Sequence, residues 1–117
     1  MRKHTAHTSE IQGEIQAFVQ TVLSHGIDVE QVILFGSFAK GGAHRYSDID
    51  LAVVSSQFGR DEIAEMMALS RWSLPVSNRI EAVAISKEML GQSDYALITE
   101  IEKWGKIVYD KPTSRSV

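Results

Sequence analysis

One pattern constrains this chain more than any other feature. A short apolar run is followed by Gly-Ser, then by ten residues, and then by two aspartates that lead into a second apolar run. The first run is Val32–Phe35, and Gly36-Ser37 follows it directly. Asp48 and Asp50 then lead into the second run. Continuous apolar runs of this length are typical of strands buried within a core. The pattern therefore predicts two core strands joined by a polar excursion.

The Gly36-Ser37 pair has the chemistry of a phosphate-binding turn. A glycine directly after a buried strand lets the backbone approach a ligand without an intervening side chain. Ser37 would open a short helix, which offers its hydroxyl, free N–H groups and the positive end of the helix dipole. A Gly-Ser pair on its own is more often only a turn and a helix cap.

Asp48 and Asp50 lie two residues apart on a predicted strand, so both carboxylates should point to the same face. Their mutual repulsion must be offset by a cation or by a raised pKa. An all-oxygen set favours Mg²⁺ or Mn²⁺, and two such ions about 3.5–4 Å apart serve in-line displacements at phosphorus. A lone Asp-x-Asp is usually a solvated loop. The order of strand, Gly-Ser, excursion and paired aspartates is what favours a catalytic site.

Composition limits the possible partners. With 117 residues, the chain fits one domain, and its net charge of −3 lacks the basic character of most nucleic-acid binders. It has no cysteine, which excludes disulfides and thiolate sites, and no apolar run near the roughly 20 residues of a membrane span. We therefore expect a cytoplasmic protein with neither a membrane nor a nucleic-acid partner.

Periodicity elsewhere predicts helices and strands around the same core. The predicted elements are a helix from Thr8 or Ser9 to about Ser24, a helix over Asp61–Trp72, a strand over Arg79–Ile85, a helix over Tyr95–Trp104 and an edge strand over Ile107–Tyr109. Alternating elements of this kind indicate an α/β or α+β domain. We place the folded domain at residues 9–110, with a flexible N-terminus over 1–8 and a flexible tail over 111–117.

Two interpretations concern apolar side chains on the predicted helices. Met66 and Met67, with Ile63 and Ser70, recur at helical spacing and are interpreted as a core-facing stripe. Trp72 and Trp104 stand near helix ends and are interpreted as core or interface anchors rather than base-stacking groups.

The stretches Leu34–Gly41 and Ser47–Val53 resemble the signature of the DNA polymerase β-type nucleotidyltransferase superfamily, and within it the minimal nucleotidyltransferases, or MNT proteins. The resemblance implies a mixed sheet flanked by helices, a nucleoside triphosphate at the Gly-Ser turn, and three carboxylates that bind metal. By position, Gly36 and Ser37 would hold the triphosphate of ATP or another NTP. Asp48 and Asp50 would bind two Mg²⁺ ions.

The resemblance also implies a third carboxylate on the next core strand. Glu81 is the only acidic residue within Asn78–Val83, so it would be the third metal ligand or the group that activates the acceptor hydroxyl. The alternative for Glu81 is an ordinary exposed strand position. Lys40 and Arg45, in the excursion, can contact phosphate oxygens or can simply be solvated. Many proteins of the family that the chain resembles carry arginine at the positions of Phe38 and Lys40, and Phe38 gives this chain no charge there.

Three biological roles remain open at this point. The small size resembles the antitoxin half of HEPN/MNT toxin–antitoxin pairs, which implies a type VII antitoxin that adenylylates a tyrosine of a HEPN toxin with ATP. The chain could instead modify a small hydroxylated substrate, as aminoglycoside nucleotidyltransferases do, with a helical partner subunit. It could also neutralise a partner by contact alone. The clustered carboxylates favour an enzyme, because binding by contact has no need of them.

Overall fold

The computed structural model describes residues 3–43, 47–92 and 95–112, and of residues 3–10 only the backbone. In chain order the elements are α1 (Lys3–Ser24), β1 (Val29–Phe35), α2 (Ser37–Lys40), β2 (Ile49–Ser55), α3 (Glu62–Ser73), β3 (Ile80–Ile85), a 3₁₀ turn (Met89–Gly91), α4 (Ala96–Trp104) and β4 (Lys106–Asp110). The predicted helices and strands are all present.

The described strands form one mixed sheet in the order β3-β2-β1-β4. β1 pairs antiparallel with β2 and with β4, whereas β2 and β3 are parallel. A parallel pair needs a crossover connection, and α3 supplies it. The fold is the predicted mixed α/β sheet flanked by helices, and β4 lies at an edge as the sequence indicated.

The sheet separates two groups of buried side chains, as the period-two alternation of strand residues requires. On one face, Leu51 and Val53 of β2 pack with the apolar stripe of α1. On the other, Ala52 and Val54 pack with Ile98 and Ile101 of α4. The strands therefore read as continuous apolar runs because both of their faces are covered.

The predicted first helix is present, although it begins at Lys3 rather than at Thr8 or Ser9. It carries an apolar stripe that is buried throughout: Ile11, Ile15, Phe18, Val19 and Val22. Gly26, just after the helix, has a left-handed φ of 85°, a conformation that glycine commonly adopts at a helix C-terminus. The flexible ends over 1–8 and 111–117 and the 9–110 domain stay predictions.

The predicted core stripe of α3 is wrong. Ile63, Met66 and Met67 point to solvent, and Leu69 and Ser73 are the buried positions of this helix. Trp72 is half-buried against the α1 side of the core and stacks on the His25 ring at 4.3 Å between centroids. Two stripes of α3 carry apolar residues, and helical spacing alone cannot say which one meets the sheet.

Gly105 ends α4 without the left-handed conformation that glycine often adopts after a helix. Its φ is −65°, and its N–H donates to the Ile101 carbonyl at 2.8 Å. A Cβ at this position would lie 2.6 Å from the Ile33 side chain. The glycine is therefore required by close packing of the helix end on β1.

No helix within the described parts of the chain combines the length and the apolar character that crossing a membrane requires.

Candidate active site

The turn after β1 brings the backbone against a carboxylate. Gly36 has φ 73° and ψ −152°, a conformation that disfavours side chains. A Cβ at Gly36 would also overlap the carboxylate of Asp50. Two independent reasons therefore require glycine here, and the second one joins the predicted phosphate turn to the predicted metal ligand.

Ser37 opens α2, a single helical turn. The Gly36 carbonyl accepts the N–H groups of Ala39 and Lys40 at 3.1 and 3.0 Å, and the N–H groups of Gly41 and Gly42 donate to the Ser37 carbonyl at 3.0 Å. The first N–H groups of a helix have no acceptor within the helix. Those of Ser37 and Phe38 are therefore suited to phosphate oxygens, together with the half-buried Ser37 hydroxyl.

Strand register places three residues side by side across the sheet. Phe35 of β1 lies opposite Asp50 of β2, and Asp50 lies opposite Glu81 of β3. Phe35 is buried, Asp50 is half-buried and Glu81 is exposed. Neighbours in one row point to the same face, so the sheet brings Asp50 and Glu81 together as the sequence predicted.

The electrostatics of Asp50 show that the carboxylates share one region. Burial raises the pKa of Asp50 above its usual value, and the charges of Glu81, Asp48 and Glu100 raise it further. Asp48 lies exposed just before β2. A cation bound here would remove this repulsion, and a set of carboxylate oxygens is the donor chemistry that Mg²⁺ and Mn²⁺ take.

Within residues 3–43, 47–92 and 95–112, the structure shows no three acidic or histidine side chains already close enough to hold one ion together. The donor chemistry of Asp48, Asp50 and Glu81 fits a divalent cation, and their roles as ligands stay predictions.

Glu100 is a site residue that the sequence did not single out. It lies on α4, and its Oε2 is 3.2 Å from the Lys40 Nζ. The Lys40 ammonium is also 5.8 Å from the centre of the Trp104 ring. Lys40 therefore stands at the end of α2 between a carboxylate and an indole. No sequence signal marked Glu100, because it lies fifty residues after Asp50 and meets the site only through packing of α4 on β1.

A groove of about 390 Å³ runs from the carboxylates to α3. Asp50 and Glu81 lie at one side of it, and Met66, Met67 and Ser70 lie at the other. The two methionines were predicted as core residues, so their part in this groove was missed. Arg45, the second predicted phosphate contact, lies outside the described residues.

Comparisons with known proteins agree with this geometry. The family model described as "Polymerase beta, Nucleotidyltransferase" matches residues 18–114. A relative from Haemophilus influenzae, "Probable protein adenylyltransferase MntA", is 31% identical over 111 residues, which are 90% of this chain and 93% of the relative. The chain belongs to the polymerase β-type nucleotidyltransferase family, in its minimal (MNT) branch.

Solved structures share the fold of this nucleotidyltransferase. A putative nucleotidyltransferase from Sulfolobus solfataricus superposes with a TM-score of 0.71 at 19% identity, over 95% of this chain and 90% of the other. A toxin–antitoxin structure with AMP-PNP gives 0.59 at 23% identity, over 86% and 73%. A Shewanella oneidensis structure, a tri-AMPylated HEPN toxin in complex with its MNT antitoxin, gives 0.53 at 16% identity, over 92% and 73%.

In this nucleotidyltransferase, Phe38 packs in the core. Phe38 is buried in the core on the α1 face, and the Arg79 guanidinium lies 5.9 Å from the centre of its ring. Phe38 therefore contributes no charge to the phosphate turn. Lys40 is the nearest described cation on α2, and it is already paired with Glu100.

Proposed function

We propose that this nucleotidyltransferase transfers AMP from ATP to a tyrosine hydroxyl of a cognate HEPN-domain toxin and thereby acts as its antitoxin. Two relatives support this assignment. One is named a protein adenylyltransferase, and another is an MNT antitoxin in complex with an AMPylated HEPN toxin. The first is related to this chain in sequence, and the second shares its fold.

The observation that carries the proposal is the position of Asp50. Its carboxylate lies against the backbone of Gly36 and beside Glu81 in the parallel ladder. A carboxylate with a raised pKa is therefore held directly next to the turn that suits phosphate oxygens. Placing like charges together costs stability unless a cation joins them. A protein that acted by contact alone would have no use for this arrangement.

In the proposed reaction, the tyrosine oxygen attacks the α-phosphorus of ATP. A phosphorus–oxygen bond forms, the bond from the α-phosphorus to the bridging oxygen of the β-phosphate breaks, and pyrophosphate leaves with that electron pair. The hydroxyl proton passes to a carboxylate, and Glu81 is our candidate because it is exposed at the edge of the groove.

Two Mg²⁺ ions, or Mn²⁺ in their place, would be held by Asp48, Asp50 and Glu81, and would neutralise the charge that develops on the phosphate oxygens. The chain itself holds the triphosphate at Gly36 and Ser37, with Lys40 and Arg45 as the cationic contacts. For Lys40 this requires its ammonium to exchange the Glu100 carboxylate for a phosphate oxygen.

The test combines the protein, Mg²⁺, ATP labelled at the α-phosphate and the product of the neighbouring gene, which the proposal requires to be a HEPN-domain protein. We expect label on a tyrosine of the HEPN protein. Asp50→Asn, which keeps the shape beside Gly36, should lower the rate by at least about a hundredfold, and Asp48→Ala with Asp50→Ala should abolish labelling. Glu102→Gln is the matched control, because this exposed carboxylate on α4 does not line the groove.

Two results would contradict the proposal. If the Asp48→Ala, Asp50→Ala double variant neutralised the toxin as well as the wild type, contact alone would be the mechanism. If the label appeared on an added aminoglycoside rather than on the HEPN protein, the acceptor would be a small hydroxylated molecule.

A further inference from the structure

The solvent-facing side of α3 is unusually apolar. Ile63 is 75% exposed, Met67 57% and Leu74, directly after the helix, 63%. Met66 and Ser70 lie on the same side, and we call these five residues the outer face of α3. Residues three, four and seven apart share one side of a helix. Single exposed apolar residues are ordinary, but a continuous row of them marks an interaction surface.

Nothing in the folding of α3 requires this outer face. The helix is attached to the core by Leu69 and Trp72 on its opposite side. Its start is secured by Asp61, which accepts the Ala64 N–H at 3.1 Å, and by Glu65, which accepts N–H groups of the preceding loop. The apolar row therefore exposes surface to water without contributing to the core.

The outer face is continuous with the candidate active site. Met66, Met67 and Ser70 form one wall of the groove that contains Asp50 and Glu81. A second groove of about 350 Å³ also includes Met66, and it extends from there to Glu62 and Tyr95. A molecule bound along α3 would consequently reach the carboxylates without crossing another element.

Charge indicates the kind of molecule that fits. The rim of the second groove is acidic, because Glu62 and Glu65 both line it. Nucleic acid is disfavoured by that sign of charge. In a symmetric pair of copies the same patch faces itself, so the acidic rims would be brought near each other. A protein segment with apolar residues flanked by lysine or arginine has the complementary chemistry.

We propose that the outer face of α3 is the docking surface for the acceptor protein, which inserts apolar side chains against Ile63, Met66 and Met67 and places its reactive hydroxyl at the groove. The proposal rests on the proposed transfer to a protein. Methionine suits this task because its flexible thioether adapts to a partner's shape. Arg71 lies on the same side of the helix as Met67 and Leu74, so the part that selects cationic residues is the acidic rim at Glu62, at the other end of the row.

The test measures steady-state AMP transfer to the HEPN-domain acceptor protein of the labelling test. Ile63→Glu should raise the KM for that protein by about tenfold, because it places a charge at the most exposed residue of the apolar row, and leave the KM for ATP unchanged. Ile63 lines neither groove, so the nucleotide site is not disturbed. Ile107→Glu is the matched control, since Ile107 is 56% exposed on β4.

A second variant tests the charge of the rim. Glu62→Lys should weaken association with the HEPN protein several-fold, and the loss should shrink as salt screens the interaction. Circular dichroism and the unfolding midpoint in urea show whether each variant keeps the native fold. Unchanged values are expected for Ile63→Glu and Ile107→Glu, whereas Glu62→Lys should keep the native fold with a slightly lower midpoint, because it places a cation in the first turn of α3.

Calorimetric binding to the HEPN protein separates this proposal from the proposed reaction. If neither the wild type nor any variant transfers AMP, the proposed reaction is contradicted. If Ile63→Glu then still weakens binding to the HEPN protein, the proposed docking surface is supported on its own. Equal binding by wild type, Ile63→Glu and Ile107→Glu would overturn the docking surface even when AMP is transferred. It would also be overturned if the chain alone dimerised in sedimentation and Ile63→Glu made it monomeric, because a second copy would then occupy the face.

Discussion

The helices α3 and α4 both flank the sheet, but they are held in opposite ways. α4 buries its apolar side, with Ile98 and Ile101 packed against β1 and β2. α3 exposes most of its apolar residues and is anchored by Leu69 and by a polar start at Asp61 and Glu65. Helix α4 buries its apolar side chains in the core, whereas α3 exposes most of its apolar side chains to solvent beside the candidate active site.

The difference shows that an apolar stripe on a helix can either pack into the core or remain exposed to bind a partner. In α4 the stripe supplies folding free energy, and the N-cap residue Tyr95 makes no side-chain hydrogen bond to the helix. In α3 the backbone is secured by hydrogen bonds at the first turn, so the stripe is free to meet a partner. Substitutions on the two helices should therefore differ in which quantity they change.

The largest expected difference comes from shortening one isoleucine on each helix. Ile98→Ala should destabilise the protein by about 2–5 kcal/mol, because it leaves a cavity at a fully buried position. Ile63→Ala should change stability by less than about 0.5 kcal/mol, since the side chain is already in water. The measurement is the free energy of unfolding of both variants in urea, each compared with the wild type. Equal losses would mean that Ile63 packs in solution and that the contrast is wrong.

The next effect concerns Glu65 and pH. Burial pushes the pKa of Glu65 up, but three backbone hydrogen bonds from Gly59, Asp61 and Arg60 outweigh it, so the pKa is lowered. A lowered pKa in the folded state means that the stabilisation is present above the unfolded value and is lost as pH falls through the folded value.

We therefore expect Glu65→Gln to destabilise the protein at pH 7 and to destabilise it less at pH 3. The measurement is the urea midpoint of variant and wild type at both pH values, with Glu102→Gln on α4 as the control. A loss that is the same at both pH values would show that the shape of the side chain, and not its charge, secures the start of α3.

A smaller effect is expected from the helix caps. Asp61→Ala removes the side-chain acceptor for the Ala64 N–H and should cost about 1 kcal/mol. Tyr95→Asp adds a cap where α4 has none, in a backbone conformation that suits it, and should stabilise by a few tenths to about 1 kcal/mol. Thermal unfolding measures both. If Tyr95→Asp is destabilising, the aromatic ring contributes more to α4 than a cap would.

The smallest effect should come from Glu100→Gln. The Lys40–Glu100 pair is half-exposed, and such pairs contribute about 0–1 kcal/mol. Removing Glu100 also relieves repulsion on Asp50, so we expect a stability change within about 0.5 kcal/mol. The pKa of Asp50, followed by carboxyl NMR, should move down towards its ordinary value. An unchanged pKa would show that α4 does not act on the site.

The strands and their chemistry could be predicted because the pattern is local. Val32–Phe35 and the run after Asp50 are apolar throughout, and Glu81 alternates with Ile80 and Ala82 as a half-covered strand does. Parallel pairing then placed Glu81 beside Asp50. The family resemblance and the matched relative agree on the fold, while the roles of individual site residues stay predictions.

The outer face of α3 could not be predicted, because periodicity identifies an apolar stripe on a helix but does not show whether the stripe faces the sheet or solvent. Ile63, Met66 and Met67 have the spacing of a core helix, and only the tertiary packing of Leu69 turns them to solvent. The role of Glu100 could not be predicted for a related reason. Its ion pair with Lys40 joins two elements that are sixty residues apart in the chain.

By itself, the sequence determined the two core strands, the glycine turn and the acidic residues that follow it, because each depends on side-chain size, charge and spacing within a short segment. The tertiary structure alone decided that Gly36 touches Asp50, that Glu100 pairs with Lys40 and that the methionines of α3 face the groove. Those contacts join segments far apart in the chain, and their partners are set by how the helices dock on the sheet.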